Sequence, residues 1–230
     1  MSYRNIKSYV LVLCIYIIMW YGLDYYKLDE FEGYDKFEAI TGTSSGYGYF
    51  IIVSSIVACI CMILADRQIN PFSMNRLLRQ ERQTVFRYMA ITAIKCVFIH
   101  ILIYVGVQMI CTCIYIDLDI LFNAGYFLIM PLYGLSLFTI FTINAMFYLA
   151  FYICAKHSYI GIIVVVAVNL FIAYKTRWEI IYGGIKIVDD MVFGASINIA
   201  SFLIYQFINL CIAGMMYIVS DELYKRKDIV

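Results

Sequence analysis

The feature that most constrains this chain is a series of six long apolar runs separated by short polar segments. We place the runs at about 8–23, 47–65, 89–116, 126–155, 159–174 and 197–219. A helix of about 20 apolar residues is long enough to cross the hydrocarbon core of a bilayer. Hydrophobic residues make up 64% of the 230 residues and charged residues only 14%, a balance that no ordinary soluble domain shows. The sequence therefore predicts an all-α, multi-pass membrane protein, with one transmembrane domain over residues 1–230 and six membrane-spanning helices.

Lysine and arginine are unevenly divided between the polar segments on the two sides of such a bundle. If both termini lie inside, eleven of these residues are cytoplasmic: Arg4, Lys7, Arg67, Arg76, Arg79, Arg82, Arg87, Lys156, Lys225, Arg226 and Lys227. Five lie outside, namely Lys27, Lys36, Lys175, Arg177 and Lys186, while Lys95 falls within a span. Cytoplasmic loops of membrane proteins carry the excess of basic residues. We therefore expect both termini to be cytoplasmic.

The segment 66–88 between the second and third spans is the one long basic interruption of the apolar pattern. Asn70 followed by Pro71 is typical of a helix start. An apolar face is predicted from Met74, Leu77, Leu78, Val85 and Met89. Most of the arginines lie on the opposite face, and Glu81 is a carboxylate within the apolar one. An amphipathic helix of this kind either lies at the headgroup level on anionic lipid or docks onto a soluble partner.

Residues 178–194, between the fifth and sixth spans, contain two short amphipathic pieces separated by Gly183-Gly184. This pattern favours a re-entrant helical hairpin that dips into the outer leaflet, with an ordinary interfacial loop as the alternative. Non-helical backbone at that depth survives only where protein or a water-filled cavity covers it.

Neither a nucleotide-binding motif nor a metal-binding motif is present. Without a G-x-x-x-x-G-K-[ST] sequence, the chain has no P-loop with which to bind ATP. The eight cysteines fall within apolar runs and lack the spacing of a zinc site, so we expect no metal and no disulfide framework. The formal net charge of +1 gives no indication of a nucleic-acid partner. Cys96 and His100 are four residues apart on one helix and suggest a thiol with a base, but nothing evident orients the histidine, so we predict no catalytic residue.

Several neutral polar residues lie within the apolar runs. In membrane proteins such residues most often make interhelical hydrogen bonds. The alternative is that they line a translocation path, and the candidates for that role are Thr139, Asn144, Asn169, Gln206 and Asn209. Lys95 and His100 are the basic groups within the third span. Lys95 lies near its cytoplasmic end, from which its side chain can reach the interface.

Six spans with both ends inside, a basic amphipathic helix after the second span and a helical piece before the sixth form a recognisable set. In this order, the chain resembles the membrane subunit of ABC-2-type exporters, and most of all the small permeases of bacterial bacteriocin-immunity and peptide-export transporters. The resemblance covers nearly the whole chain in topology. Its most specific local feature is Arg76-x-x-Arg79-x-x-Arg82, which continues through Arg87 to Lys95 as such permeases enter their third span.

The resemblance implies that residues 71–82 form a coupling helix that docks into a separate cytoplasmic ABC ATPase. The residues it assigns to this role are Pro71, Met74, Arg76, Leu77, Arg79, Glu81 and Arg82. ATP and Mg²⁺ would then be bound by the partner subunit, and this chain would hold no cofactor of its own. A second copy of the permease, or a homologous one, would complete a dimer in the plasma membrane of a bacterium.

The expected cargo is an amphipathic or antimicrobial peptide that leaves the membrane or the cell. Neutral amides and hydroxyls among aromatic and aliphatic side chains suit such a molecule better than a small ion. Three other functions remain open from the sequence. One is a membrane peptidase that processes a signal peptide and relies on Cys96 and His100. Another is an ion-coupled secondary transporter with Lys95 or His100 as the titrating group. The third is a structural membrane protein without transport. Replacement of Cys96 by alanine would abolish the activity of a peptidase, whereas it would have little effect on a protein in which this cysteine only packs.

Overall fold

The structure, a computed structural model, describes residues 3–25, 53–77, 82–155, 157–175, 179–192 and 198–226. Every regular element within these ranges is helical, and none of them contains a β-strand. The prediction of an all-α chain is thereby confirmed for the described residues.

Eight α-helices follow one another along the described chain. They are α1 (Tyr3–Trp20), α2 (Ala58–Leu77), α3 (Arg82–Tyr115), α4 (Leu118–Asn123), α5 (Tyr126–Ala155), α6 (Ser158–Lys175), α7 (Glu179–Val192) and α8 (Ile199–Arg226). A π-helical turn, Tyr21–Tyr25, continues α1, and another, Val53–Val57, leads into α2.

Four helices are long and apolar enough to cross a membrane. They are Ile6–Leu23, Gln83–Tyr115, Tyr126–Ala155 and Ile199–Arg226, and they correspond to the first, third, fourth and sixth predicted spans. Ser158–Phe171, at the fifth predicted span, is a shorter apolar helix. The second predicted span, 47–65, begins outside the described residues, and the helical residues from Val53 onward are not among the four. By length and composition these are the helices of a membrane protein, whereas the number six and the orientation stay predictions.

Helix α5 is the centre of the bundle. It packs against α2, α3, α6, α7 and α8, and most of its side chains are buried. By contrast, α1 and α8 each turn a broad apolar face outward. On α8 this face includes Leu203, Phe207 and Ile218, which are 56%, 68% and 67% exposed. Lipid tails are as apolar as leucine side chains, so a bilayer would accommodate these faces without further protein.

The structure corrects the helix start predicted at Asn70 and Pro71. Helix α2 begins at Ala58 and runs through both positions to Leu77, so the inner part of the second predicted span and the first part of the predicted coupling helix are one helix. A helix already formed on the N-terminal side can continue through a proline at the loss of one backbone hydrogen bond. The dipeptide alone therefore does not show where the helix begins.

The predicted break at Gly183-Gly184 was also wrong. Helix α7 is continuous from Glu179 to Val192, so the two pieces of the expected hairpin are one helix there, and the re-entrant hairpin is not confirmed. The glycines have a packing role that is described below. Helix α7 lies against α5 and α8.

Candidate functional site

Four polar side chains from α5 and α8 meet inside the bundle. They are Ser136 and Thr139 on α5, and Gln206 and Asn209 on α8, and we call them the amide cluster. Each is 5% exposed or less. Both pairs have a spacing of three residues, which places the two side chains of each pair on one helix face.

Hydrogen bonds connect all four members of the amide cluster. The Thr139 hydroxyl donates to Gln206 Oε1 at 2.7 Å, and Gln206 Nε2 donates to Ser136 Oγ at 2.9 Å. Asn209 Nδ2 donates to Thr139 Oγ1 at 3.3 Å. Each side chain of one helix is thereby bonded to the other helix, so the cluster fixes the register of α5 against α8.

Helix α7 joins this cluster through its backbone. Asn209 Nδ2 donates a second hydrogen bond, of 3.0 Å, to the carbonyl oxygen of Ile181. A Cβ atom on Gly184 would collide with the amide nitrogen of Gln206 and lie 3.1 Å from Ser136 Oγ.

Gly183 has the same kind of close neighbour, because a Cβ atom there would collide with the ring of Tyr205 on α8. The two glycines therefore allow the backbone of α7 to approach the polar side chains of the cluster. This close approach explains the Gly-Gly pair without any interruption of the helix.

Some of the buried amide groups have hydrogen-bonding capacity left over. Within the described residues, Asn144 Nδ2, Asn169 Nδ2 and Asn209 Oδ1 have no hydrogen-bond partner. Asn169 on α6 does accept a bond of 3.4 Å from the Tyr182 hydroxyl of α7 through its Oδ1 atom. Buried amide atoms are almost always bonded in folded proteins, so these three leave hydrogen-bonding capacity unused.

The structure brings together three of the five residues predicted to line a path, namely Thr139, Gln206 and Asn209. Asn169 connects to α7 through Tyr182, next to the carbonyl group that Asn209 binds. Asn144 is buried on α5, five residues after Thr139. Ser136 was not among the predicted site residues, although its spacing of three from Thr139 was a usable signal.

The predicted coupling residues are described only in part. Pro71, Met74, Arg76 and Leu77 lie in the last two turns of α2, and Arg82 is the first residue of α3. The structure gives no side-chain positions for these five. Arg79 and Glu81 lie outside the described residues altogether.

Cys96 and His100 are both fully buried on α3, and each contacts a different tyrosine of α1. The Tyr16 hydroxyl lies 2.7 Å from His100 Nε2, and the Tyr9 hydroxyl donates to Cys96 Sγ at 3.8 Å. Tyr9 in turn accepts a bond of 2.6 Å from Gln68 Nε2 of α2. These contacts tie α1 to α2 and α3.

Lys95, the remaining ionisable residue of the third predicted span, is exposed on α3. In the part of the chain that the structure describes, no three side chains of His, Cys, Asp or Glu come together as metal ligands would.

Comparisons with protein-family models, with curated proteins and with solved structures find no match to this chain.

Proposed function

We propose that this chain is the membrane permease subunit of an ATP-driven exporter for amphipathic peptides. A separate cytoplasmic P-loop ATPase would bind ATP and Mg²⁺, and two permease chains would form one path in a bacterial plasma membrane. The observation that carries the proposal is the amide cluster, a polar junction of three helices inside an apolar bundle.

The depth of the cluster supports a role in translocation. Ser136 and Thr139 lie 10 and 13 residues after the start of α5, which at 1.5 Å per residue is about 15–20 Å along the helix. Gln206 and Asn209 lie about 10–15 Å along α8 by the same rise. These distances correspond to the middle of a hydrocarbon core about 30 Å thick. Polar groups at such a depth are costly, and they usually mark a substrate path or an interhelical contact.

Two unbonded amide atoms would offer a substrate hydrogen-bonding partners. Asn209 of the cluster keeps an unbonded carbonyl oxygen, and Asn169 of α6 keeps an unbonded amide nitrogen. Both residues contact the first turn of α7. A substrate that offers an amide hydrogen or a carbonyl oxygen would complete these bonds.

The chemistry of the cluster indicates the class of substrate. All four members are neutral, and the side chains are amides and hydroxyls, which match the backbone groups of a peptide. Asn209 already binds a peptide carbonyl group, that of Ile181. Small ions are selected by rings of carbonyl groups or of like charges, which are a different arrangement.

The proposed energy source is suggested by the lack of a P-loop together with the basic segment after α2. In this proposal the chain receives work from a partner through residues 71–82, which are basic and amphipathic in sequence. Since α2 continues through Leu77, a partner that binds this segment would act directly on a bundle helix.

The test starts with purification of the tagged chain from its native membrane and identification of the bound proteins. We expect a P-loop ATPase, and charge reversal at Arg76 and Arg79 should release it while the permease stays in the membrane. Both proteins are then expressed in a sensitive host, which is challenged with cationic amphipathic peptides. Host tolerance equal to that of an ATPase-dead control across a broad panel would exclude the peptide substrate.

A pair of variants on α8 then distinguishes a role of the amide cluster in the substrate path from a role in helix packing alone. Asn209→Leu removes both a donor and the unbonded oxygen from the cluster, so peptide export should fall. Ser220→Ala is the matched control, because the Ser220 hydroxyl is also buried on α8 but binds only backbone oxygens, those of Met216 and Met146. Equal export by the two variants, at equal protein levels, would show that the cluster only packs.

A further inference from the structure

Another buried polar contact lies where α2 meets α5. The Tyr148 hydroxyl of α5 donates a hydrogen bond of 2.7 Å to Asp66 Oδ1 of α2. Tyr148 is fully buried, and Asp66 is half-buried. Asp66 is the first charged residue after the apolar part of α2.

Neighbouring side chains hold the Tyr148 ring in place. The ring of Tyr152 stacks against it at a centroid distance of 5.9 Å. Helix α6 approaches from another side, since a Cβ atom on Gly161 would lie 3.0 Å from the Tyr148 ring and 3.1 Å from its carbonyl oxygen. The Tyr148 ring is thus packed against Tyr152 and α6, while its hydroxyl is bonded to Asp66 of α2.

Asp66 and the predicted docking residues 71–77 belong to one uninterrupted helix. Pro71 lies five residues after Asp66, which is about 7.5 Å along the helix axis. On the other side, Tyr148 lies nine residues after Thr139 of the amide cluster, about 13 Å along α5. Two continuous helices joined by one hydrogen bond thus connect the basic segment to the amide cluster.

We propose that Asp66 and Tyr148 are positioning residues that transmit movement of the inner end of α2 to α5 and so to the amide cluster. The inference rests on the proposed function, because it assumes that a partner acts on residues 71–82. It adds the side-chain contact by which that action reaches the path.

The chain offers a matched set of variants. Tyr148→Phe removes the hydroxyl and keeps the ring, and Asp66→Ala removes the acceptor. Asp66→Asn keeps an oxygen acceptor and should rescue the contact. Tyr152→Phe is the control, because it deletes the same group one turn further along α5, where the hydroxyl makes no hydrogen bond to the described residues.

The first measurement is the number of peptide molecules exported per ATP hydrolysed, in proteoliposomes that contain the permease and its co-purified ATPase. Tyr148→Phe and Asp66→Ala should lower this ratio about fivefold, the factor that corresponds to a net contribution of about 1 kcal/mol from one hydrogen bond, with ATPase binding unchanged. Asp66→Asn and Tyr152→Phe should stay within about twofold of the wild type, since neither removes the bond.

The second measurement is hydrogen exchange of the α2 backbone in the permease alone, which needs no partner. Exchange at residues 66–77 should speed up in Tyr148→Phe and not in Tyr152→Phe. If the wild type couples export to ATP hydrolysis and Tyr148→Phe exports the same number of peptide molecules per ATP, the inference fails and the proposed function stands. If no ATPase stimulates export by the wild type, the proposed function fails, and the transmission role fails with it.

Discussion

The close approach of α7 to the amide cluster leads to a specific prediction for Gly184. In Gly184→Ala the new methyl group must occupy space held by the Gln206 amide nitrogen, with Ser136 Oγ only 3.1 Å away. Either α7 moves outward or the Gln206 side chain turns away. We expect the second, because Gln206 is a flexible side chain whereas α7 is a packed helix.

The expected loss of unfolding free energy in Gly184→Ala follows from the bonds that Gln206 makes. Turning it away breaks its bonds to Ser136 and Thr139, at about 0.6 kcal/mol each in a membrane bundle. Overpacking adds about 1–3 kcal/mol, while replacing a helical glycine by alanine returns about 1 kcal/mol. The net loss is about 2 kcal/mol of unfolding free energy.

The measurement is reversible unfolding of the purified chain in mixed micelles, followed by circular dichroism. Gly214→Ala on α8 is the control, since a Cβ atom there has nothing within 4 Å. Only the helix-propensity term acts at Gly214, so the control should be as stable as the wild type or more stable. The two alanine variants should therefore change stability in opposite directions.

A double variant tests the stated cause. Gln206→Ala removes the atom with which the new methyl group collides, so Gly184→Ala should cost much less in that background. A coupling of about 1–2 kcal/mol is expected for residues in direct contact. The reasoning is refuted if Gly184→Ala is as stable as Gly214→Ala. It is also refuted if Gly184→Ala lowers the unfolding free energy by the same amount in the Gln206→Ala background as in the wild type.

Two further predictions concern α1 and the orientation of the chain. Tyr16→Phe should lower the unfolding free energy by about 1–3 kcal/mol, because it leaves the buried His100 ring without its 2.7 Å partner, whereas the exposed Tyr159→Phe should change it by less than about 0.5 kcal/mol. Equal stability of the two phenylalanine variants would contradict this role for Tyr16. In a cysteine-free background, an impermeant thiol reagent added to intact cells should label a cysteine at Ser44 but not one at Gln80, and labelling at Gln80 would reverse the predicted orientation.

The amphipathic and apolar patterns were sufficient to predict the helical class and four of the long helices. Runs such as 126–155 contain no charged residue and are long enough to span a membrane, and the structure has α5 over the same residues. The same pattern could not locate the boundaries of α2. Asn70-Pro71 is a favourable helix start in isolation, but the twelve residues from Ala58 to Ile69 are already helical and carry the helix onward.

Composition alone could identify the candidate polar residues but not their partners. Thr139, Gln206 and Asn209 were predicted as a group because they are polar in apolar runs. That they bond to one another depends on the packing of α5 against α8, which brings together residues 67 and 70 positions apart in the chain. Asn144 has the same composition signal and makes no described bond to them.

The sequence by itself determined that this chain would form long apolar helices, because the length and hydrophobicity of each run are local properties. Only the tertiary structure decided the roles of Gly184 and Asp66. A glycine pair is compatible with a break or with a close helix contact, and the choice depends on Gln206 and Tyr205, which are distant in sequence. Likewise, a lone aspartate after an apolar run is ordinary until Tyr148 is found 2.7 Å away. Hydrogen bonds and steric contacts act over a few ångströms in space, so the pairing of helices had to be known before either role could be assigned.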